Sequence, residues 1–267
     1  MIVELFAETG GKKIYYEIRG SGEPVILLNG AMASTSSWSF QLPALLSHNY
    51  KVILMDFAGQ GKSDKPRTRY QMEQHVDEVQ AVLDSSGVEK ANVIGVSYGG
   101  EVAMLCGINI TSRIRSLVIS NSVSYIDRAL RAMADRWLLA SRFHSGRILW
   151  QCVYPDLYSA GYLERNWDFV SRTAPSFDLL DFDALAEMLK AFMQLDITDH
   201  LHEISLDTLV LTSDQDATKP QRYSKIIHDE IANSSLKVIS GAGHLAMWEK
   251  PDEYNKTLLE FIERVRL

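Results

Sequence analysis

Four short, almost continuous apolar runs dominate the first half of the chain. They are PVILLN at 24–29, YKVILMD at 50–56, ANVIGV at 91–96 and IRSLVIS at 114–120. Runs of this kind, without polar alternation, are typical of strands that are buried on both faces of a parallel sheet. Two β-rich runs at residues 2–7 and 13–18, separated by Gly10 and Gly11, predict a hairpin ahead of them.

Helical patterns separate the apolar runs. The predicted helices extend from Trp38 to Ser47, from Met72 to Ser86 and from Gly99 to Asn109, and two more are expected near 220–231 and 251–265. Strands that alternate with helices are joined by right-handed crossovers. The pattern therefore predicts an α/β fold with a mostly parallel, doubly wound sheet.

The alternation stops between about Ser122 and Leu201, where the sequence is helical and rich in Trp, Phe, Leu and Met. Strand patterns return afterwards, in LDTLVLTS at 206–213 and SLKVIS at 235–240. A helical insertion that rejoins the same sheet is more economically a cap than a separate domain. We therefore predict an α/β core formed by residues 1–121 and 202–267, with a helical cap formed by residues 122–201.

The composition is that of an ordinary globular protein with a negative charge. Of its 267 residues, 46% are hydrophobic and 23% are charged, and the formal net charge is −7. Nucleic acids and anionic membranes favour proteins with an excess of Lys and Arg, so we expect no nucleic-acid partner. No segment reaches the ~18 consecutive apolar residues of a spanning helix, so we expect no membrane span and a cytoplasmic location.

The residue patterns do not predict a cofactor. Cys106 and Cys152 form no Cys-x-x-Cys pair or zinc-ligand cluster, and both are expected to be small buried hydrophobic side chains. Residues 95–100 read G-x-x-x-G-G, which differs from the dinucleotide-binding pattern. GQGKS at 59–63 lacks the earlier glycine of a P-loop, because Asp56 stands there. We therefore expect no metal, nucleotide or organic cofactor.

Gly95-Val96-Ser97-Tyr98-Gly99 matches the G-x-S-x-G pattern of a nucleophile elbow. The motif lies after a predicted buried strand and before a predicted helix, which is the context that it requires. A sharp turn from strand to helix needs small neighbours, because a Cβ on either glycine would crowd the strained backbone of the serine. This context favours Ser97 as a nucleophile over Ser97 as an ordinary turn residue.

A neutral serine hydroxyl needs a base to accept its proton and a carboxylate to orient that base. His244 is the best candidate for the base, because it follows a predicted strand in the glycine-rich loop SGAGHLAMWEKPDEY. For the acid, TLVLTSDQDATKP offers both Asp214 and Asp216, and the residue pattern alone leaves the two open. The remaining histidines are expected to be surface or capping residues: His48, His75, His144, His200, His202 and His228.

The chain resembles the α/β-hydrolase family over nearly its whole length. The matching segments, in family order, are PVILLNGAMASTSSW, VILMDFAGQGKSD, VIGVSYGG, LVLTSDQDATKP and GAGHLAMWEKPDEY. The resemblance implies an α/β-hydrolase fold with the chain order Ser97, Asp216, His244. It also implies that Asp216 is the acid, because the family's acid typically lies four residues before a proline, here Pro220.

The segment after the first buried strand departs from the commonest family pattern, since Asn29-Gly30 replaces His-Gly. LLNGAMASTSSW resembles the Asn-containing loop of 3-oxoadipate enol-lactonases. With DFAGQ, it also resembles the acyltransferase that makes the 3-(3-hydroxyalkanoyloxy)alkanoate precursor of rhamnolipids. The family resemblance implies that the backbone N–H groups of Ala31 and Tyr98 form an oxyanion hole.

These residues predict a serine hydrolase that cleaves a carboxylic ester, lactone or thioester through Ser97, His244, Asp216 and an acyl-enzyme. Met32 and Trp38, near the oxyanion loop, are expected to face the small-molecule acyl substrate. Two alternatives remain open. One is an acyltransferase that joins 3-hydroxyacyl groups from a thioester carrier, and the other is a non-catalytic ligand-binding protein of the same fold.

Overall fold

Eight strands form one mixed sheet in the computed structural model, which describes residues 4–265. Their bounds are β1 Leu5–Thr9, β2 Lys12–Arg19, β3 Glu23–Leu28, β4 Tyr50–Met55, β5 Ala91–Val96, β6 Ile114–Ser120, β7 Thr208–Ser213 and β8 Ser234–Ile239. The order across the sheet is β1-β2-β4-β3-β5-β6-β7-β8. β2 pairs antiparallel with β1 and β4, and all other neighbouring pairs are parallel. The predicted doubly wound, mostly parallel sheet is confirmed.

The predicted hairpin is formed by β1 and β2, which pair with Thr9 opposite Lys12. Residues 2 and 3, which the sequence assigned to its first strand, lie outside the described residues. The glycines between the two strands both have positive φ, 54° at Gly10 and 73° at Gly11. Such angles are readily adopted only by glycine, which explains why the chain reverses there.

The helices follow the sheet in chain order. They are α1 Gln41–Ser47, α2 Gln74–Ser85, α3 Tyr98–Asn109, α4 Arg128–Ser141, α5 Gly146–Leu157, α6 Ala160–Arg172, α7 Phe182–Phe192, α8 Gln221–Glu230, α9 Ala246–Glu249 and α10 Pro251–Arg264. α1 begins later than predicted, because Thr35–Trp38 forms a separate 3₁₀ turn. None of the helices between residues 4 and 265 combines the length and the apolarity that a bilayer crossing requires.

Two apolar clusters cover the two faces of the sheet. Successive side chains of a strand point to opposite faces, and β3 follows this rule. Its Ile26 and Leu28 pack in one cluster with α2, α3 and α8, whereas Val25 and Leu27 pack in the other with α1 and α10. Burial of every strand residue from Val25 to Leu28 explains why the run reads as continuously apolar.

The segment from Ser122 to Leu201 contains α4 to α7 and short turns, with one isolated bridge between Tyr125 and Asp196. Its helical character agrees with the sequence, and its separation from the core as a cap stays a prediction. Cys106 is buried as predicted, but Cys152 is only partly buried. The reason is that α5 buries Leu149, Trp150 and Val153, and Cys152 lies at the edge of that face.

Buried polar contacts join the helical segment to the loop after β8. The Glu249 carboxylate accepts hydrogen bonds from Ser159 N at 2.9 Å, from Ser159 Oγ at 2.5 Å and from Gly243 N at 3.1 Å. Leu245 N also donates to Leu157 O at 3.1 Å. The loop that carries His244 is therefore joined to the end of α5 and, through Glu249, to the start of α6.

A second buried contact joins α3 to the loop after β7. Lys219 Nζ lies 2.6 Å from Glu101 Oε1, and the side chains are 3% and 0% exposed. Glu101 Oε1 also accepts a hydrogen bond from Val123 N at 3.1 Å, and Lys219 Nζ lies over the Phe192 ring. Burial raises the pKa of Glu101, and the charge of Lys219 opposes that shift. The lysine therefore reduces the cost of keeping this carboxylate in the core.

We expect Lys219→Met to lower the free energy of unfolding by about 3 kcal/mol, because it leaves a buried carboxylate without its cation. The double variant Lys219→Met/Glu101→Gln should recover most of the loss, because the amide oxygen still accepts from Val123 N. Urea unfolding of the parent, of the single variants Lys219→Met and Glu101→Gln, and of the double variant measures the cycle. Lys225→Met is the control, since it removes an exposed pair with Asp229 and should cost about 0.5 kcal/mol or less. Equal losses in the two lysine variants would contradict the interpretation.

Candidate active site

Ser97 lies in a strained turn between β5 and α3. Its backbone has φ 55° and ψ −119°, a region that residues other than glycine rarely adopt. Close packing holds the turn: a Cβ on Gly95 would lie 2.1 Å from Gly99 O, and a Cβ on Gly99 would lie 2.1 Å from Leu28 O. Both positions therefore require glycine, as the sequence motif predicted.

Three side chains predicted from the sequence form a hydrogen-bonded series. Ser97 Oγ lies 2.9 Å from His244 Nε2, and His244 Nδ1 lies 2.9 Å from Asp216 Oδ2. Asp216 follows β7 and His244 follows β8, so both lie at the carboxyl edge of the parallel strands, as Ser97 does. His244 and Asp216 are buried, whereas Ser97 is partly exposed. This geometry permits a proton to pass from the hydroxyl to an imidazole that a carboxylate orients.

Hydrogen bonds to Asp216 keep it ionised. Its Oδ1 accepts from Lys219 N at 2.7 Å, and its Oδ2 accepts from Asn121 Nδ2 at 2.9 Å as well as from His244. Burial acts to raise the pKa of Asp216, but the charge and the hydrogen bond of His244 outweigh it, together with the bonds from Lys219 and Asn121. The pKa is therefore lowered below its ordinary value, and the carboxylate carries its negative charge at neutral pH.

Asp214, the alternative acid of the sequence, lies elsewhere. It is exposed, and it accepts hydrogen bonds from Ser240 Oγ at 2.8 Å and from Gly241 N at 2.7 Å. Gly241 has a positive φ of 68°, so these bonds stabilise the tight turn after β8. The structure brings Asp216, and not Asp214, to the histidine.

The two expected oxyanion donors lie beside Ser97. A Cβ on Gly30 would lie 3.6 Å from Ser97 Cβ, which brings the loop that contains Ala31 next to the serine. Tyr98 is the first residue of α3, so its N–H has no acceptor within the helix and lies at the positive end of the helix dipole. The loop that contains Ala31 and the first turn of α3 thus both border Ser97, and the oxyanion role of the two N–H groups stays a prediction.

The expected substrate contacts differ from each other. Met32, in the loop after β3, is partly buried against the main apolar cluster, and its contact with substrate stays a prediction. Trp38 is 0% exposed, and its Nε1 donates a hydrogen bond to Asn29 Oδ1 at 2.8 Å. The expectation that Trp38 faces substrate is therefore corrected: its ring packs in the core beneath the sheet, and its N–H supports the start of the oxyanion loop.

His75 was expected at the surface and instead is fully buried. Its Nδ1 lies 2.7 Å from Glu78 Oε2, and its Nε2 lies 2.9 Å from the hydroxyl oxygen of Tyr98. The available signal was the i, i+3 spacing of His75 and Glu78 on one helix, which indicates a pair but not its burial. Within residues 4–265, no group of three or more His, Cys, Asp and Glu side chains is arranged to hold a metal ion.

Comparison with known proteins assigns the chain to one family. A family model described as alpha/beta hydrolase fold matches residues 23–251. The chain is 28% identical to a protein of Azorhizobium caulinodans that is provisionally named carbamate hydrolase RutD, over 96% of this chain and 97% of the relative.

Two solved structures are closely similar. An alpha/beta hydrolase enzyme, MGS-M2, from a Medee basin deep-sea metagenome library has a TM-score of 0.92 and 25% identity, over 97% of each chain. The enol-lactonase of Burkholderia xenovorans LB400 has a TM-score of 0.89 and 23% identity, over 97% of this chain and 100% of that one. The enol-lactonase likeness shows the fold alone, and the subgroup resemblance stays a prediction.

We expect Asp216→Asn to lower kcat by about 10³- to 10⁴-fold, because the amide no longer selects the required tautomer of His244 or stabilises its cation. Asp214→Asn is the matched control, and its kcat should stay within about threefold of the parent. Steady-state turnover of an activated ester measures both variants, with circular dichroism as the check on folding. The reverse ranking would give the role to Asp214.

Proposed function

The chain belongs to the alpha/beta hydrolase fold family, and we propose that it is a serine hydrolase that cleaves carboxylic esters, lactones or thioesters. The observation that carries the proposal is the hydrogen-bonded series of Ser97, His244 and Asp216. Family membership alone supports a hydrolase and leaves the scissile bond open. The serine at the strained turn narrows this choice, because its chemistry is transfer of an acyl group.

The proposed reaction has two halves. In the first, His244 Nε2 takes the proton of Ser97 Oγ as the oxygen attacks the substrate carbonyl carbon, and the histidine then protonates the leaving group as its bond to carbon breaks. In the second, His244 removes a proton from water, which attacks the acyl carbon and releases the acid, and the proton returns to Ser97. Asp216 stabilises the imidazolium in both halves without taking its proton.

The negative charge that develops on the carbonyl oxygen needs donors that are already in place. The N–H groups of Ala31 and Tyr98 supply them, and each aligned donor of this kind is worth about 3 kcal/mol in the transition state. Tyr98 is held by its side chain, which contacts His75, and by its place at the start of α3. Because these donors belong to the backbone, they need little reorganisation during the reaction.

The proposed substrate is a small acyl compound. Ala31 and Met32 follow Gly30, which lies next to Ser97, and both are partly buried apolar residues, which suits an acyl chain better than a strongly charged group. The similar carbamate hydrolase is named for a bond between a carbonyl carbon and a heteroatom, which supports the same class here. The absence of a nucleic-acid partner and the cytoplasmic location stay predictions from the sequence.

Ser97→Ala and His244→Ala should each lower ester turnover by about 10⁴-fold or more, and the double variant should lose little beyond that, because the two groups act as a unit. A fluorophosphonate probe should label the parent protein and not Ser97→Ala, with the labelled peptide identified by mass spectrometry. Ser47→Ala, an exposed serine whose hydroxyl bonds to Ala44 O, is the control and should be labelled normally. Labelling of Ser97→Ala at the parent rate would contradict the assignment.

A substrate panel tests the acceptor and the scissile bond. Esters and thioesters of graded chain length should give free acids, and lactones should give hydroxy acids. Aryl carbamates should react more slowly than esters and give a phenol and a carbamic acid, which loses carbon dioxide to leave an amine. A 3-hydroxyacyl thioester that yields mainly the dimeric hydroxyacid ester, in a reaction abolished by Ser97→Ala, would overturn hydrolysis in favour of acyl transfer. Tight binding without turnover or probe labelling would instead favour a non-catalytic ligand-binding protein.

A further inference from the structure

A buried glutamine contacts the underside of the oxyanion loop. Gln60, which is 3% exposed, donates from Nε2 to Gly30 O at 2.7 Å and to Ala31 O at 3.1 Å. It lies in the loop after β4, about 30 positions away in sequence from the carbonyls that it contacts. One side chain therefore binds two consecutive carbonyl groups of the loop that borders Ser97.

Together with the turn hydrogen bond from Ala33 N to Gly30 O at 3.1 Å, these two bonds fix the directions of two amide N–H groups. In a planar trans peptide, the C=O bond of one residue and the N–H bond of the next point in opposite directions. Gly30 O shares its peptide plane with the N–H of Ala31, and Ala31 O shares its plane with the N–H of Met32. By drawing both carbonyls toward itself, Gln60 turns both N–H groups to the opposite side of the loop.

The carboxamide of Gln60 is itself held in one orientation. Its Oε1 accepts from Phe57 N at 3.2 Å and lies 3.4 Å from Asn29 Nδ2. Asn29 in turn donates to Met55 O at 2.7 Å and accepts from Trp38 Nε1. A flipped carboxamide would face two carbonyls with its oxygen and two N–H donors with its nitrogen, so the network permits only the orientation in which nitrogen faces the loop.

We propose that Gln60 is a positioning residue of the oxyanion site, whose buried carboxamide directs the N–H of Ala31 toward the carbonyl oxygen of an acyl group bound at Ser97. The inference rests on the proposed function, since an oxyanion site has meaning only if Ser97 is acylated. Gln60 does not touch the substrate in this account. Its effect is confined to the state in which the carbonyl oxygen becomes an anion, because a misdirected donor weakens the transition state more than the bound ester.

A purely structural role for Gln60 would have different consequences for its variants. If Gln60 only satisfied buried carbonyl groups, its loss would lower stability and leave the folded protein fully active. Asn92 provides the comparison: it is 0% exposed, and its Nδ2 donates to Glu23 Oε1 at 2.9 Å. It also lies near the start of β5, whereas Ser97 follows the end of that strand. The two buried carboxamides thus differ in their distance from the reaction.

The experiment compares Gln60→Met and Gln60→Glu with Asn92→Leu. Both Gln60 variants should lower kcat by about 10- to 100-fold while KM stays within about threefold, because ground-state binding is retained. The affinity for a trifluoromethyl ketone, which forms a tetrahedral anion on the serine, should fall by the same factor as kcat/KM. Asn92→Leu should lose stability in urea and keep kcat and the inhibitor affinity of the parent.

The outcomes separate this inference from the proposed function. Parent-like kcat and inhibitor affinity in folded Gln60→Met would overturn the role of Gln60, as would a rise in KM at constant kcat. If Gln60→Met does not fold, Gln60→Asn replaces it, because the shorter side chain cannot reach both carbonyls and should show the same division between kcat and KM. Full activity in Ser97→Ala would instead overturn the proposed function itself, whatever the Gln60 variants show.

Discussion

The contact between Gly99 and the end of β3 is the constraint on which the rest of the site depends. Gly99 lies so close to Leu28 O that a Cβ would be 2.1 Å from it. This approach gives α3 room to begin directly after the strained turn at Ser97. Because β3 continues into Asn29 and Gly30, the same contact brings the oxyanion loop beside the serine. The position of Ser97 and the position of its proposed oxyanion donors are thus set by the same contact.

The parallel strands supply the remaining geometry. β5, β6, β7 and β8 are neighbours in the sheet, and each is followed within five residues by one polar residue of the site: Ser97, Asn121, Asp216 and His244. Carboxyl ends of parallel strands share one edge, so residues far apart in sequence meet there without a special loop. Asn121 has a positive φ of 48° and donates to both Ser213 Oγ and Asp216 Oδ2. The hydrogen bond from Asn121 helps to hold the Asp216 carboxylate in the orientation that faces His244.

The sequence could predict those site residues whose identity is determined by the backbone within a few residues of them. The glycines around Ser97 are required by the backbone geometry of a single turn. Asp216 and His244 each follow a recognisable strand within a few residues. Trp38 could not be placed this way, because an aromatic residue near a loop packs inward or faces a ligand according to a partner, here Asn29, on another element. Gln60 was missed for the same reason, since its hydrogen bonds join positions about 30 residues apart.

The position of His75 shows a further limit of prediction from sequence. Its pairing with Glu78 could be read from the spacing on the helix, but its burial could not. A His and a Glu three residues apart on a helix most often form an exposed pair, and a residue pattern has no means to place a tyrosine hydroxyl against the ring. The burial of Tyr98 follows from the start of α3, which the close contact of Gly99 with β3 sets. The histidine is therefore buried by a consequence of the elbow that only the folded chain reveals.

The buried carboxylates near the site differ in the groups that balance their negative charge, and the pKa of each carboxyl group shifts accordingly. Burial raises the pKa of Asp56 and of Glu249, whose partners include backbone N–H groups and neutral side chains. Burial also raises the pKa of Glu101, although Lys219 opposes the shift with a permanent charge. Only at Asp216, among these four, is the pKa lowered, and its partner is an imidazole. The pKa of buried Glu78 is lowered as well, beside His75 and Lys12, but His75 takes no part in the proposed reaction. In the proposed mechanism the imidazole of His244 gains a proton when Ser97 attacks, so an ionised carboxylate faces the group whose charge appears during the reaction.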